Sequence, residues 1–162
     1  MNSTNPKPQT EADRRAQVDE ALERAETLRR EERYDEGVEL LLEALAYGIE
    51  KGQIYFRLGN LYYDSGDNER AEYAFRKAIS NDPNHINAHH NLGVVYRKEG
   101  RIRESIQMRK KAQRLARRHP DRVTVTPEQA KVARKFALQW LFGGLGIIVG
   151  IVAIVMLIAW LF

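Results

Sequence analysis

Two histidines are the residues of this chain whose spacing first suggests chemistry. His85 and His89 stand four positions apart, and two imidazoles on adjacent turns of one helix face can hold a zinc ion. A zinc site needs three or four ligands, yet the chain has no cysteine and no third ligand at a familiar spacing. We therefore expect both histidines to be structural, and we expect no metal or other cofactor.

Residues that could form a catalytic site are also missing from the sequence. It contains no glycine-rich phosphate loop, no nucleophile turn and no pair of carboxylates in apolar surroundings. The acidic side chains fall on polar helix faces, where water solvates their charge. Without cysteine, thiol catalysis and disulfide bonds are excluded as well. The sequence predicts a binding protein and not an enzyme.

Positive charge is concentrated late in the chain. Residues 1–96 hold 12 basic and 18 acidic side chains, and residues 97–162 hold 14 basic and 4 acidic ones. Near an anionic membrane, each cation gains about 1 kcal/mol of attraction. An acidic protein partner is the alternative, whereas nucleic acid is disfavoured because no aromatic side chains for base stacking lie between Lys110 and Lys135. The cations of the last repeat helix are Arg109, Lys110, Lys111, Arg114, Arg117 and Arg118.

The end of the chain is apolar. Residues 136–162 carry no charge, and Gln139 is their only strongly polar side chain. A helix crosses a bilayer in about 20 residues. Trp140 and Trp160 lie 20 positions apart, which matches aromatic belts separated by about 30 Å. We predict a transmembrane helix over residues 136–162 that follows a basic juxtamembrane segment over residues 120–135.

The flanking charges predict the orientation of this helix. Cations precede the apolar segment and none follows it, so the positive-inside rule places the rest of the chain in the cytoplasm. Residues 1–10 lack the apolar core of a secretory signal and are expected to be disordered. We expect a single C-terminal span, in a bacterial inner membrane because no basic tail follows it.

Small residues form a stripe within the predicted span. They are Gly143, Gly146, Gly150 and Ala153. Small residues four positions apart let two transmembrane helices approach closely, so the stripe predicts a homodimer or docking to the span of a partner. Glycine is also common in transmembrane helices generally, which leaves a compositional explanation open.

Upstream of the basic residues, the chain repeats itself with a period of 34 residues. Apolar stripes at helical spacing alternate with polar turns, such as residues 65–67, that are short enough only for antiparallel helix pairs. We predict an all-α fold with three helix pairs, over residues 18–51, 52–85 and 86–119, within a domain spanning residues 11–119. Two aligned columns hold only small residues, which are Ala25, Gly59 and Gly93 in one, and Ala44, Ala78 and Ala112 in the other.

The middle unit has a characteristic set of residues, which are Tyr55, Leu58, Gly59, Tyr62, Ala71, Phe75, Ala78 and Pro83. With these residue types at this spacing, the unit resembles the tetratricopeptide repeat family. The third unit has His89 and Arg109 where the family has aromatic residues, and the first unit is weaker still, as end repeats often are. The resemblance implies a curved helical solenoid whose concave face binds a protein or peptide partner.

The resemblance also implies which side chains line the concave groove. Asn60 and Asn91 can each donate and accept a hydrogen bond with a peptide backbone, and Phe56 and Val94 offer apolar contact. Arg57, Arg97 and Lys98 are positively charged and favour an acidic ligand. In the second and third units the implied groove residues are Phe56, Arg57, Asn60, Tyr63, Asn87, His90, Asn91, Val94, Arg97 and Lys98.

One branch of the family binds the C-terminal carboxylates of heat-shock chaperones, and this chain departs from it. The lysine and asparagine positions of that clamp hold Leu22 and Glu26 in the first unit. Its lysine and arginine positions in the third unit hold Asn87 and Asn91. We therefore expect a different ligand.

Three functions remain open. The first is a membrane-anchored adaptor that recruits a protein through the groove or stabilises a membrane complex. The second is a structural subunit that assembles through the glycine-striped span. The third is a bacterial secretion-type chaperone, which residues 18–119 resemble in size, although such chaperones are soluble.

Overall fold

The computed structural model describes residues 10–120, and this part of the chain contains six α-helices and no strand. The helices pack as three successive pairs, and each pair packs against the next. The prediction of an all-helical, three-repeat solenoid is confirmed for these residues. The helices are α1 (Glu11–Arg30), α2 (Tyr34–Leu45), α3 (Lys51–Asp64), α4 (Asn68–Asn81), α5 (Ile86–Lys98) and α6 (Ile102–Arg118).

Helix α1 begins upstream of the first predicted repeat. The hydroxyl of Thr10 accepts a hydrogen bond from the backbone N–H of Asp13 at 3.0 Å, and the Thr10 N–H donates to the Asp13 carboxylate at 3.1 Å. This reciprocal pair satisfies two N–H groups at the start of the helix, which otherwise have no partner. The 34-residue period could not show this extension, because the added turns lie before the first aligned column.

The turn inside each helix pair has the same geometry in all three repeats. The N–H groups of Arg33, Asp67 and Arg101 donate to carbonyls near the end of the preceding helix, at 2.8–2.9 Å. Such a Schellman turn needs a left-handed residue one position earlier. Gly66 and Gly100 fill that position with φ of 89° and 77°, but the first repeat has Glu32 there with φ 60°.

The core requires a close approach between α3 and α4. A Cβ on Gly59 would lie 2.5 Å from the ring of Phe75, and Phe75 is fully buried. In the third repeat the aliphatic part of Arg109 lies over Gly93 in the corresponding place. Ser105 closes the α5–α6 contact by donating its hydroxyl to the Gly93 carbonyl at 2.7 Å. These contacts explain the column of small residues.

Several predictions concern segments outside the described residues. They are residues 1–9 of the predicted disordered start, the juxtamembrane segment after Pro120, and the transmembrane helix over residues 136–162 with its tryptophans and glycine stripe. Thr10, which was included in the disordered start, caps α1 instead. Within residues 10–120, none of the six helices is both long and apolar enough to cross a membrane.

Candidate functional site

A groove of about 280 Å³ opens where the C-terminal halves of α1 and α3 lie beside α5. On α3 and α5 its residues lie three or four positions after Asn60 and Asn91, so they face the same side. Asn60 and Val94 occupy one column of the 34-residue period, and Arg29 and Tyr63 occupy another. The complete lining consists of Arg29, Asn60, Tyr63, Asp64, Asn91 and Val94.

An amide pair lies at the centre of this groove. The Nδ2 of Asn91 donates a hydrogen bond to the Oδ1 of Asn60 at 2.8 Å, and both side chains are half-buried. This bond occupies one group of each amide. The Asn60 amino group and the Asn91 carbonyl oxygen therefore remain to donate to and accept from a ligand backbone.

A network of ion pairs connects the first repeat to the second along one edge of the groove. The Glu26 carboxylate accepts from Arg29 at 2.9 Å and from Arg57 at 2.9 Å, and Arg29 also pairs with Asp64. Hydrogen bonding by Arg29 lowers the pKa of Glu26, and the charge of Arg57 acts in the same direction against the effect of burial. The same hydrogen bond raises the pKa of Arg29. Glu26 and Arg29 therefore stay charged.

This network corrects the prediction for Arg57. Its guanidinium was expected to join Arg97 and Lys98 in attracting an acidic ligand, but it makes an ion pair with Glu26 at 2.9 Å and does not line the groove. Its Nε is buried without a hydrogen-bond partner among the described residues. Arg57 thus joins two repeats.

Phe56 is also corrected. It was predicted to offer apolar contact in the groove, but it is only 8% exposed. Its ring packs against Phe75, with centroids 6.0 Å apart, and against His85, with centroids 4.6 Å apart. The side chain fills the space between the second and third repeats, where it belongs to a buried cluster with Phe75, Ala88 and Leu92. The apolar surface of the groove comes from Tyr63 and Val94.

The remaining predicted groove residues lie on α5 outside the groove lining. Arg97 and Lys98 are exposed in its last turn, and the Lys98 ammonium sits 4.8 Å from the centroid of the Tyr63 ring. His90 is exposed and Asn87 is half-buried, nearer the start of the helix. The structure thus brings together Asn60, Tyr63, Asn91 and Val94 and leaves these four at the margin.

Sequence reasoning missed Arg29 as a groove residue. The neighbouring Arg30 points largely to solvent, with 74% of its side chain exposed. The signal was available, since Arg29 lies 34 positions before Tyr63, which was assigned to the groove.

The two histidines have structural contacts in this fold. His85 caps α5, because its Nδ1 accepts from the Ala88 N–H at 3.2 Å while its Nε2 donates to the Gln53 side chain at 3.0 Å. His89 is buried and its Nε2 donates to the Pro83 carbonyl at 3.0 Å. Within residues 10–120, no three His, Asp or Glu side chains are placed to hold a metal ion.

Comparison with known families finds repeats in the second half of this solenoid. A model described as TPR repeat matches residues 59–100, and one described as tetratricopeptide repeat matches residues 88–122. Tetratricopeptide repeats are therefore present in the chain, and residues 10–120 form an all-helical solenoid of this type. The first helix pair lies outside both matches, so its assignment depends on the packing and on the repeated turn.

Curated relatives match less than half of the chain. Photosystem I assembly protein Ycf3 of Prochlorococcus marinus (strain NATL1A) is 29% identical over 72 residues, which is 43% of this chain and 42% of that protein. Its counterpart in Synechococcus sp. (strain CC9605) is 32% identical over 74 residues, or 44% and 43%. The chain thus spans about two-fifths of the length of these relatives.

Solved structures with the same fold include MamA. One crystal structure of MamA is 22% identical with a TM-score of 0.59, and the match covers 64% of this chain and 61% of that one. MamA from Desulfovibrio magneticus RS-1 is 22% identical with a TM-score of 0.55, covering 60% and 55%. At this identity the likeness establishes the fold.

Proposed function

We propose that this protein is a membrane-anchored adaptor that holds a segment of a protein partner in the groove lined by α1, α3 and α5. The observation that carries the proposal is the amide pair of Asn60 and Asn91, which keeps one donor and one acceptor for a ligand. Side-chain amides that pair with a peptide backbone bind a segment in a fixed register, whatever its sequence. Tyr63 and Val94 add apolar contact beside the pair.

The charges around the groove favour a ligand that carries its acidic residues toward the end of α5. Glu26 and Asp64 are neutralised by arginines, so they do not repel an acidic segment strongly. Arg97 and Lys98 are exposed next to the groove and make no ion pair among the described residues. A peptide with one or two carboxylates at that end is the best complement.

Membrane attachment is the second part of the proposal. Its support is the sequence of residues 136–162, which has no charge over a length sufficient to span a bilayer, and the cations that precede it. We propose that the repeats lie on the cytoplasmic side of a bacterial inner membrane. Two copies could pair through Gly143, Gly146, Gly150 and Ala153, the small-residue stripe.

The names of the relatives agree with a binding role. The cyanobacterial Ycf3 proteins are named for assembly of photosystem I. For this chain we propose only the general task, which is to hold a protein partner near a membrane. A structural subunit that assembles through the glycine stripe is the competing function.

A pull-down in mild detergent separates these two functions. With Asn60→Ala and Asn91→Ala together, we expect the amount of partner recovered to fall by about 30-fold, because two backbone hydrogen bonds of about 1 kcal/mol each are lost. The matched control is Asn84→Ala, an exposed asparagine outside the groove, which should leave recovery unchanged. If recovery survives the double change but is abolished by Gly146→Leu with Gly150→Leu, the groove is not the binding site.

A further inference from the structure

Helix α6 carries seven basic side chains, and none of them lines the groove. Its seven cations are all exposed, and none forms an ion pair within 4 Å of a carboxylate in residues 10–120, although the charge of Arg103 contributes to lowering the pKa of Glu104. Upstream arginines behave differently, since Arg29, Arg33 and Arg101 each contact at least one carboxylate. The seven are Arg103, Arg109, Lys110, Lys111, Arg114, Arg117 and Arg118.

The only acid in α6 does not offset this charge. The Glu104 carboxylate accepts from Arg101 at 3.0 Å, and Arg101 also pairs with Glu72 on α4 at 3.0 Å. Glu104 is therefore engaged at the start of the helix, on the side that faces the preceding turn. The outward face of α6 remains positive along about 20 Å of its length, at 1.5 Å of rise per residue.

The arrangement around the helix axis places the charge opposite the core. Ser105, Ala112 and Leu115 are the buried residues of α6. At about 100° per residue, Arg103, Lys110, Arg114 and Arg117 cluster within about 60° of one another on the opposite side. We call these four side chains the basic face.

Two large apolar side chains flank the basic face. Ile102 is 54% exposed and Ile106 is 49% exposed, and both fall beside Arg117 in the helical projection. An exposed isoleucine pair next to a row of cations is what an interfacial helix presents to a membrane, with the cations at the headgroups and the apolar groups below them. The exposed side chains of α6 include no aromatic residue, so the helix lacks the stacking surface for single-stranded nucleic acid.

We propose that the basic face of α6, together with Ile102 and Ile106, docks on the surface of an anionic lipid membrane. An anionic membrane is the ligand that complements the positive charge of α6. The acidic residues of the first two repeats favour the same orientation of the molecule on that surface. Residues 11–81 carry 17 acidic and 11 basic side chains, so an anionic surface repels the first two repeats while it attracts α6. No residue of α6 lines the groove, so a docked molecule keeps the groove open to a partner. The proposal goes beyond the adaptor function and does not depend on it.

The test uses the full chain with one fluorescent label on α6. Because the chain has no cysteine, Gln113→Cys introduces a single site for an environment-sensitive dye on the same side of the α6 axis as the two isoleucines. Labelled protein is mixed with phosphatidylcholine vesicles, either pure or with about 30 mol % phosphatidylglycerol. The apolar end of the chain can bring the protein to both vesicles, so the dye signal and not total binding is the readout.

We expect the dye to move into a less polar environment only with the anionic vesicles, and about 0.5 M NaCl should reverse the change. Neutralising the face with Lys110→Gln, Arg114→Gln and Arg117→Gln should raise the lipid concentration at half-maximal signal on the order of 100-fold. All three side chains are exposed, so the fold should be kept, and circular dichroism checks this.

Two controls make the result specific. The substitutions Arg24→Gln, Lys51→Gln and Lys77→Gln remove the same charge from other exposed positions and should leave the signal unchanged. A dye at Ser80→Cys on α4 should not respond to either vesicle. Equal signals at position 113 with neutral and anionic vesicles would overturn the proposal. So would an equal response of that dye to single-stranded DNA, which would assign the face to nucleic acid.

Discussion

At the scale of single residues, His85 shows how one side chain can support the site from a distance. Its Nδ1 caps α5 and its Nε2 bonds to Gln53 on α3, so the ring fixes the start of the helix that carries Asn91. Burial lowers the pKa of His85, the charges of His89 and Arg57 add to this effect, and the Asp82 carboxylate opposes it. The neutral imidazole is therefore the form that the fold requires.

We predict that protonation of His85 destabilises the protein. Because the pKa is lowered in the folded state, the unfolded chain binds the proton more readily. The contribution of His85 is thus complete above its ordinary pKa of about 6.5, and is lost as the pH falls below it. Urea unfolding between about pH 8 and pH 5.5 should show the free energy of unfolding decreasing toward acid pH.

The control for this prediction is His85→Asn, since asparagine can cap a helix but does not titrate. The other histidines remain in the variant, so the difference between the two pH profiles reports His85 alone. We expect the variant to have a flatter profile. Parallel profiles for the two proteins would show that His85 does not control the pH dependence.

At the scale of the helix pair, three turns with different sequences have the same backbone geometry. The hydrogen bond that closes each turn has nearly the same length in all three repeats, although only two of them have glycine at the left-handed position. Glu32 adopts φ of 60°, which costs a residue with a side chain about 1 kcal/mol or more. The packing of α1 against α2 holds this turn in place.

We predict that Glu32→Gly stabilises the protein by about 0.5–1 kcal/mol. Removal of the strain outweighs the greater flexibility that glycine gives the unfolded chain. Glu32 makes no ion pair within residues 10–120, so no such contact is lost. Thermal and urea unfolding would measure the gain.

The opposite substitution, at the left-handed position of the second repeat, tests whether backbone strain is the cause. Gly66→Ala has open space for its Cβ, so any loss of stability must come from the backbone angle. We expect a loss of about 1 kcal/mol. If Glu32→Gly were neutral while Gly66→Ala was destabilising, strain at Glu32 would not be the reason.

At the scale of the whole molecule, the groove and the basic face lie on different helices. The groove is lined by α1, α3 and α5, and the basic face lies on α6, which contributes nothing to the groove. A partner and an anionic membrane could therefore be bound together. The apolar residues 136–162 would add a permanent attachment to this reversible contact.

We predict that the full chain sediments with membranes and resists extraction by alkaline carbonate, because a spanning helix is not released when electrostatic contacts are removed. A chain ending at Pro120 should be extracted completely. The variant with Gly146→Leu and Gly150→Leu should remain in the membrane and lose only cross-linked dimers. Release of the full chain by carbonate would contradict the proposed anchor.

The sequence by itself determined the repeats, because helix pairs that stack at a constant interval require small residues at a constant spacing. The column of Ala25, Gly59 and Gly93 predicted the packing, and the polar residues 65–67 predicted a turn, without any knowledge of long-range contacts. The resemblance to the tetratricopeptide repeat family implied that Asn60 and Asn91 lie in one groove.

Only the tertiary structure decided which groove side chains are free to bind. Glu26 pairs with Arg57 and Arg29 with Asp64 across 31 and 35 positions, and Phe56 is buried between repeats. These outcomes depend on the distance and rotation between neighbouring helix pairs, which fix how far each side chain can reach. The period fixes which residues recur, but it does not fix that geometry.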